Sequence, residues 1–317
     1  MRVEQLRGGV VEAWHDVHVA VVDGGGRLVA QAGDPDLVTF WRSAAKPFQA
    51  VPLVEDGVME RFGLTGEELA LACASHSSEA GQVAKVRELL VKIGCSERDL
   101  LCGPHPPLSE RVAQDYQARG VRLTPVYSNC SGKHAGMLAL ARHHDWPTAF
   151  YTRLEHPVQQ RCLVEVSRWT GVPREEIRTG VDGCGVVCFA LPLRNMALAY
   201  AKLGSGKRGA VVQAMLHHPD VVAGEGRPCT EIMRAHPGRV IAKVGAEGVY
   251  CALLVGEGLG VALKVADGHA LASALAMAAV LERLGLRPLP PSLGVRPNLN
   301  TRGEPVGELR VNGGLAQ

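Results

Sequence analysis

The sequence holds no block of like charge. Its 34 lysines and arginines are mixed with 32 aspartates and glutamates, for a net charge of +2. Neither a nucleic acid nor an anionic membrane surface is therefore an expected partner. No stretch approaches the roughly 18 apolar residues that span a bilayer. Met1–Arg7 also lacks the apolar core of a secretory signal. These absences predict a soluble, cytoplasmic protein. The nine cysteines include no Cys-x-x-Cys pair, which excludes a zinc finger or a thioredoxin-like motif. In a reducing compartment most of them read as small buried apolar residues. Gly24-Gly25-Gly26 lacks Gly-x-Gly-x-x-Gly spacing and no helix pattern follows it, and Gly-x-x-x-x-Gly-Lys-Ser/Thr is also missing. A phosphate loop is not expected. There is no repeat period and no low-complexity tract.

What is present is a chain of 317 residues, enough for one large domain or two entwined lobes. A valine-rich run over 9–22, the turn Asp23-Gly24-Gly25-Gly26 and the return Arg27–Ala30 predict an opening hairpin. Thr65-Gly66-Glu67-Glu68 is a capping box that starts a helix towards Cys73. After a break at Ala74–Glu79, Val83, Val86, Leu89, Leu90 and Ile93 recur at helical spacing. Further helices are predicted at 109–118, 131–144, 157–169, 192–203, 206–217 and 228–235. Strand patterns return at 239–244, 249–255 and 259–265, and an Ala/Leu-rich helix follows from His269. The tail from Pro288 reads as an extended linker with one strand at 309–311. The expected fold class is α/β: a central, mostly antiparallel sheet from both chain ends plus an inserted all-helical lobe. The expected domains are 1–64 with 238–317 for the sheet and 65–237 for the helices.

Candidate chemistry begins at Arg42-Ser43-Ala44-Ala45-Lys46-Pro47. Serine three residues before lysine puts both side chains on one helix face. A hydroxyl becomes a useful nucleophile only when a base takes its proton, and lysine can do so when neutral. Ser75-His76-Ser77 follows on a break between helices, and Lys243-Val244-Gly245 lies on the first strand after the helical stretch. The order resembles the serine β-lactamases and penicillin-binding proteins, whose three motifs fall in those places. The second motif departs from Ser-x-Asn and the third from Lys-Thr-Gly. Two more stretches, Tyr127–Met137 and Val181–Gly185, set Cys130 and Cys184 among glycines, where backbone can approach a ligand closely. Taken alone, they read as buried thiols beside tight turns.

Together these stretches resemble the rhizobial-type inducible, thermolabile L-asparaginases. The matching elements are Arg42–Pro47, Ala74–Ser77, Cys102-Gly103-Pro104-His105, Asn129–Gly136, Asp182–Gly185 and Lys243–Gly248, with Asn300–Gly303 and Val306-Gly307 near the end. The resemblance implies a serine β-lactamase-like fold, a homodimer and hydrolysis of L-asparagine to L-aspartate and ammonia through a β-aspartyl ester. It implies two Ser-Lys tandems, Ser43 with Lys46 and Ser75 with Lys243. It implies zinc (Zn2+) at Cys130, Lys133 and Cys184, with Cys229 close by. Arg42 and Asp182 match positions that hold the substrate's charged α-groups, and His134 and Gly245 match further substrate-binding positions.

Elementary chemistry makes these roles reasonable. An amino-acid amide offers a carboxylate and an ammonium, for which an arginine and an aspartate are suitable anchors. Clustered lysines repel, which helps keep one of them neutral. Two alternatives stay open: a glutaminase or broader small-amide hydrolase, and a non-catalytic zinc- or amino-acid-binding protein on the same fold.

Overall fold

The computed structural model describes residues 1–204 and 209–316. Four strands open the chain: β1 (Arg2–Arg7), β2 (Val10–Asp23), β3 (Leu28–Ala32) and β4 (Val38–Phe40). Seven helices follow: α1 (Lys46–Glu55), α2 (Val58–Phe62), α3 (Gly66–Ala72), α4 (Ala80–Lys92), α5 (Glu110–Ala118), α6 (Ser131–His143) and α7 (Pro157–Thr170). Then come β5 (Arg178–Val181), β6 (Val187–Pro192), α8 (Leu193–Lys202), α9 (Gly209–His217), α10 (Pro219–Val222) and α11 (Pro228–Ala235). The chain closes with β7 (Val240–Val244), β8 (Val249–Leu254), β9 (Leu259–Val265), α12 (Ala270–Arg283), β10 (Arg296–Leu299) and β11 (Pro305–Asn312).

Two compact units emerge. One contains 1–44, 191–202 and 231–317, the other 45–190 and 203–230. In the first, strands from both chain ends form one sheet in the order β10-β11-β1-β2-β9-β8-β7, with β3 also paired to β2. Every pair is antiparallel. The architecture is α/β, with the sheet drawn from both ends and the helices inserted between. β8 is buried along its whole length, as a strand covered on both faces requires. Helix α8 comes close to β9: a Cβ on Gly260 would stand 1.9 Å from Ala197 O. Only a glycine permits that approach.

The second unit is built on α1, α3 and α6. Lys46–Leu53 of α1 is buried residue after residue, so α1 is a core helix rather than an amphipathic surface one. The capping box is present: Thr65 Oγ1 accepts Glu68 N–H at 3.3 Å, and Glu68 Oε2 accepts Thr65 N–H at 2.8 Å. At α6 a Cβ on Gly132 would meet Leu71 O at 2.3 Å, so α6 and α3 touch backbone to backbone.

The structure differs from the sequence reading in four places. The units divide elsewhere than at 64 and 237, because α1 and α2 belong with the helices and α8 with the sheet. The helical unit is not all-helical, since β5 pairs with β6 as an antiparallel hairpin around the Asp182–Gly185 turn. β1 was missed because a bulge between Gln5 and Leu6 breaks the alternation, burying Val3 and Leu6 three residues apart. The tail is not a linker, because β10 and β11 pair and β11 also pairs with β1. The predicted start of one helix at 206–208 lies outside the described residues; from Gly209 the helix is α9.

Candidate active site

The loop Ala74–Glu79 between α3 and α4 carries Ser75, and its surroundings fix it atom by atom. Ser75 N–H donates to Val222 O at 2.9 Å and His76 N–H to Asn129 O at 3.2 Å. Ser77 Oγ donates to Ala223 O at 2.8 Å, Ser78 Oγ to Tyr127 O at 2.5 Å, and Tyr116 OH to Ser78 O at 2.7 Å. Ser78 adopts φ +60° at the tightest point, a conformation that costs a non-glycine residue energy and that these bonds hold in place. Against this fixed loop stands Lys46, fully buried at the start of α1. Its Nζ donates to Ala74 O at 2.5 Å and to Ser75 Oγ at 3.0 Å. Serine hydroxyl and lysine amine are thus in direct contact, away from water.

His76 is fixed through both ring nitrogens. Ser78 N–H donates to Nδ1 at 3.1 Å, and Nε2 lies 2.8 Å from Ser131 Oγ, which itself donates to Val126 O. Burial, assisted by the Lys46 charge, pushes His76 down to about 3. It is a neutral strut tying the Ser75 loop to the first turn of α6.

That first turn presents the second cluster. Lys133 Nζ donates to Cys184 Sγ at 3.0 Å. The Cys130 thiol, hydrogen-bonded to Cys184, lowers the Cys184 thiol to about 4, with the Lys133 charge helping against burial. The same bond, with burial, lifts Cys130 to about 12. Burial alone would lower Lys133, but the Cys184, Cys130 and Asp182 charges outweigh it and hold the ammonium above its usual range. The three groups therefore pull in opposite directions, Lys133 and Cys130 towards holding a proton and Cys184 towards losing one. Thiolates are ligands that suit zinc, and a lysine amine could join them only after losing its proton. The β5–β6 turn supplies Cys184 and brings Asp182 near enough for its charge to act on Lys133 and His134. His134 is buried one residue beyond Lys133, and Cys229 is buried as the second residue of α11.

The sheet unit holds the other candidates. Arg42 opens the short 3-10 turn Arg42–Ala45 at φ +54°, with Ser43 half-buried beside it. Tyr200 OH donates to Ala44 O at 2.8 Å and supports the turn. Arg42 Nη1 lies 3.9 Å from Glu247 Oε1, on an exposed carboxylate that also has positive φ. Lys243 on β7 is fully buried, and its Nζ donates to Val244 O at 3.0 Å. Gly245 sits where a Cβ would come 2.9 Å from Trp41 O.

The described bonds thus join Ser75 to Lys46, a pairing that motif spacing did not suggest. Glu247 beside Arg42, Cys102 near enough for Cys130 and Cys184 to act on its thiol, and Tyr151 against His134 were given no role in the sequence reading. Cys102 and Glu247 lie inside motifs that carry the family resemblance, Cys102–His105 and Lys243–Gly248, whereas Tyr151 lies in none.

The family model described as L-asparaginase II matches residues 3–311. The chain belongs to the L-asparaginase II family. That membership makes it an amidohydrolase acting on a small molecule. No curated protein matches the sequence. Among solved structures, the chain is similar to a protein from Bacteroides dorei DSM 17855 provisionally called a β-lactamase. The identity there is 13%, with 85% of this chain and 93% of that one covered and a TM-score of 0.45. It is also similar to a β-lactamase from Mycobacterium bovis, at 16% identity, 84% and 94% coverage and a TM-score of 0.35. An octameric penicillin-binding protein homologue from Pyrococcus abyssi aligns at 11% identity, 84% and 73% coverage and a TM-score of 0.38. Among the described residues, no helix is long and apolar enough to cross a membrane.

Proposed function

We propose that this member of the L-asparaginase II family hydrolyses L-asparagine in the cytoplasm by acyl transfer to serine. The observation that carries the reading is the buried contact of Lys46 Nζ with Ser75 Oγ at 3.0 Å. An amide yields only when the attacking oxygen loses a proton and the leaving nitrogen gains one. Lys46 serves both needs. As a neutral amine it takes a serine proton, and as an ammonium it returns the proton to the departing nitrogen. The resemblance implies two tandems, Ser43 with Lys46 and Ser75 with Lys243, and the attacking oxygen is that of one of these two serines. The serine oxygen bonds to the amide carbon, the C–N bond breaks and ammonia leaves. Water then cleaves the β-aspartyl ester. Acid–base help of this kind is worth about 10² to 10⁴ in rate.

Arg42 carries a charge suited to the substrate carboxylate, and Asp182 one suited to its ammonium. Cys130, Lys133 and Cys184 would hold zinc, which when bound supplies a fixed positive charge able to polarise or position an oxygen ligand. The working assembly under this reading is a homodimer, which sedimentation checks.

The test is ammonia release from L-asparagine and L-glutamine side by side, with Lys46→Met and Ser75→Ala alongside. Asparagine should be preferred by at least about tenfold in kcat/KM, on the order of 1.4 kcal/mol. Both variants should lose about a hundredfold or more in kcat while remaining folded. Equal rates on the two amides would overturn the asparagine assignment. Near-normal turnover in Lys46→Met would overturn the Ser-Lys mechanism.

A further inference from the structure

His134 holds a hydrogen bond that leads nowhere. The residue is fully buried in the first turn of α6, yet Nε2 has no hydrogen-bond partner among the described residues. The other ring nitrogen is tightly bound. Tyr151 OH lies 2.6 Å from Nδ1, with the two rings packed edge to face at 5.5 Å. Tyr151 is itself fully buried, and its oxygen accepts Leu101 N–H at 3.0 Å.

Placing the hydrogens decides the tautomer. Leu101 occupies one lone pair of the Tyr151 oxygen, so the hydroxyl hydrogen points at Nδ1. Nδ1 is then an acceptor, and the hydrogen of the neutral ring sits on Nε2. The reverse assignment puts a ring hydrogen on Nδ1 and leaves the tyrosine hydrogen with no acceptor among the described residues. A desolvated N–H without a partner costs about 1–3 kcal/mol. Such a cost is tolerable where a ligand oxygen supplies the missing acceptor. Charges of both signs act on the ring, Lys133 and Lys46 against Cys130 and Asp182, so it is the unpartnered N–H itself that calls for an oxygen acceptor.

We infer that Tyr151 is a positioning residue: its hydroxyl locks His134 into the Nε2–H tautomer and so presents one buried donor to an oxygen of the bound amide. The inference rests on the amidohydrolase reading for the identity of the ligand but not for the tautomer. The two therefore fail separately.

The test joins a spectrum to a double-mutant cycle. In protein labelled with 15N-histidine, with His134→Gln used to assign the signal, His134 should show a protonated Nε2 and a bare Nδ1. In Tyr151→Phe that fixed pattern should give way to a mixture of tautomers. With L-asparagine, Tyr151→Phe should raise KM about tenfold, the worth of one hydrogen bond, and leave kcat within about threefold. Glutamine at position 134 offers its amide N–H near the Nε2 position without help from Tyr151. In the His134→Gln background, Tyr151→Phe should therefore change KM by less than about twofold. A packing defect at Tyr151 would instead cost the same in both backgrounds, and that result overturns the inference. A hydrogen found on Nδ1 in the unmutated protein overturns it without any variant. If the unmutated protein releases no ammonia from any amide, the functional reading falls and the spectrum alone decides the role of Tyr151.

Discussion

At the scale of one residue, His76 ties the stability of the fold to pH. Its imidazole is pushed down to about 3 by burial and by the Lys46 charge, whereas in an unfolded chain it titrates near 6.5. The unfolded state therefore takes up the proton first. Stability is unaffected above roughly pH 6.5 and falls as the pH drops from there towards 3, at up to about one proton's slope. His76→Gln should lower stability at pH 7, by about 1–3 kcal/mol for the broken bonds to Ser78 and Ser131. It should also flatten the decline between pH 6.5 and 4. Urea midpoints across that range measure both effects, and an unchanged slope would show that groups other than His76 carry the decline. The residue scale is also where the sequence was most and least readable. Ser43, Lys46, Ser75 and Lys243 stood out because they sit in short motifs whose chemistry is local. The contact of Lys46 with Ser75 did not, because the loop that joins residues 29 apart is held by Val222 of α10 and by Tyr127 and Asn129 of the stretch before α6. Tyr151 had no pattern to give it away: it acts through one hydroxyl, in a segment with no helical or strand period.

At the scale of elements, glycine marks the positions where backbone meets backbone. Gly132 lies in the first turn of α6, between Cys130 and Lys133, and a Cβ there would meet Leu71 O at 2.3 Å. Two effects compete in Gly132→Ala. Helix propensity favours alanine by about 1 kcal/mol, while overpacking against a backbone carbonyl costs about 1–3 kcal/mol and Leu71 cannot rotate away. The clash should win. Thermal melting should show a lower Tm, and under the zinc reading proposed above a metal titration should show weaker uptake as the α6 turn shifts away from Cys184. A higher Tm would mean that α6 and α3 are looser than described. Elements with strong local signals, such as the Thr65 capping box and the valine-rich β2, were legible in the sequence. β1 was hidden by its bulge. β5 was hidden by short, exposed strand residues that bury almost nothing.

At the scale of the whole molecule, the sheet is not equally anchored along its width. β7, β8 and β9 are buried nearly throughout. β10, β11 and β1 bring few buried apolar side chains, among them Val3, Leu6 and Leu309. These outer strands therefore depend on backbone pairing rather than on apolar burial, which supplies most of the stability of a fold. This also explains why the tail reads as a linker: polar strands joined mainly by hydrogen bonds carry little hydrophobic pattern. Gly307 tests the asymmetry. It pairs with Arg7 across β11 and β1, and a Cβ there would stand 1.8 Å from Leu6 O. Gly307→Ala cannot be accommodated by moving a side chain, so the two strands must separate locally. Local opening is governed by the few contacts each segment buries. Amide hydrogen exchange should rise in peptides covering 2–7 and 305–312, while those covering 249–265 keep their protection. The overall Tm should fall only modestly, by roughly 2–8 °C. If peptides across β8 and β9 lose protection to the same degree, the sheet opens as one cooperative body, and its outer strands hold up the centre rather than lean on it.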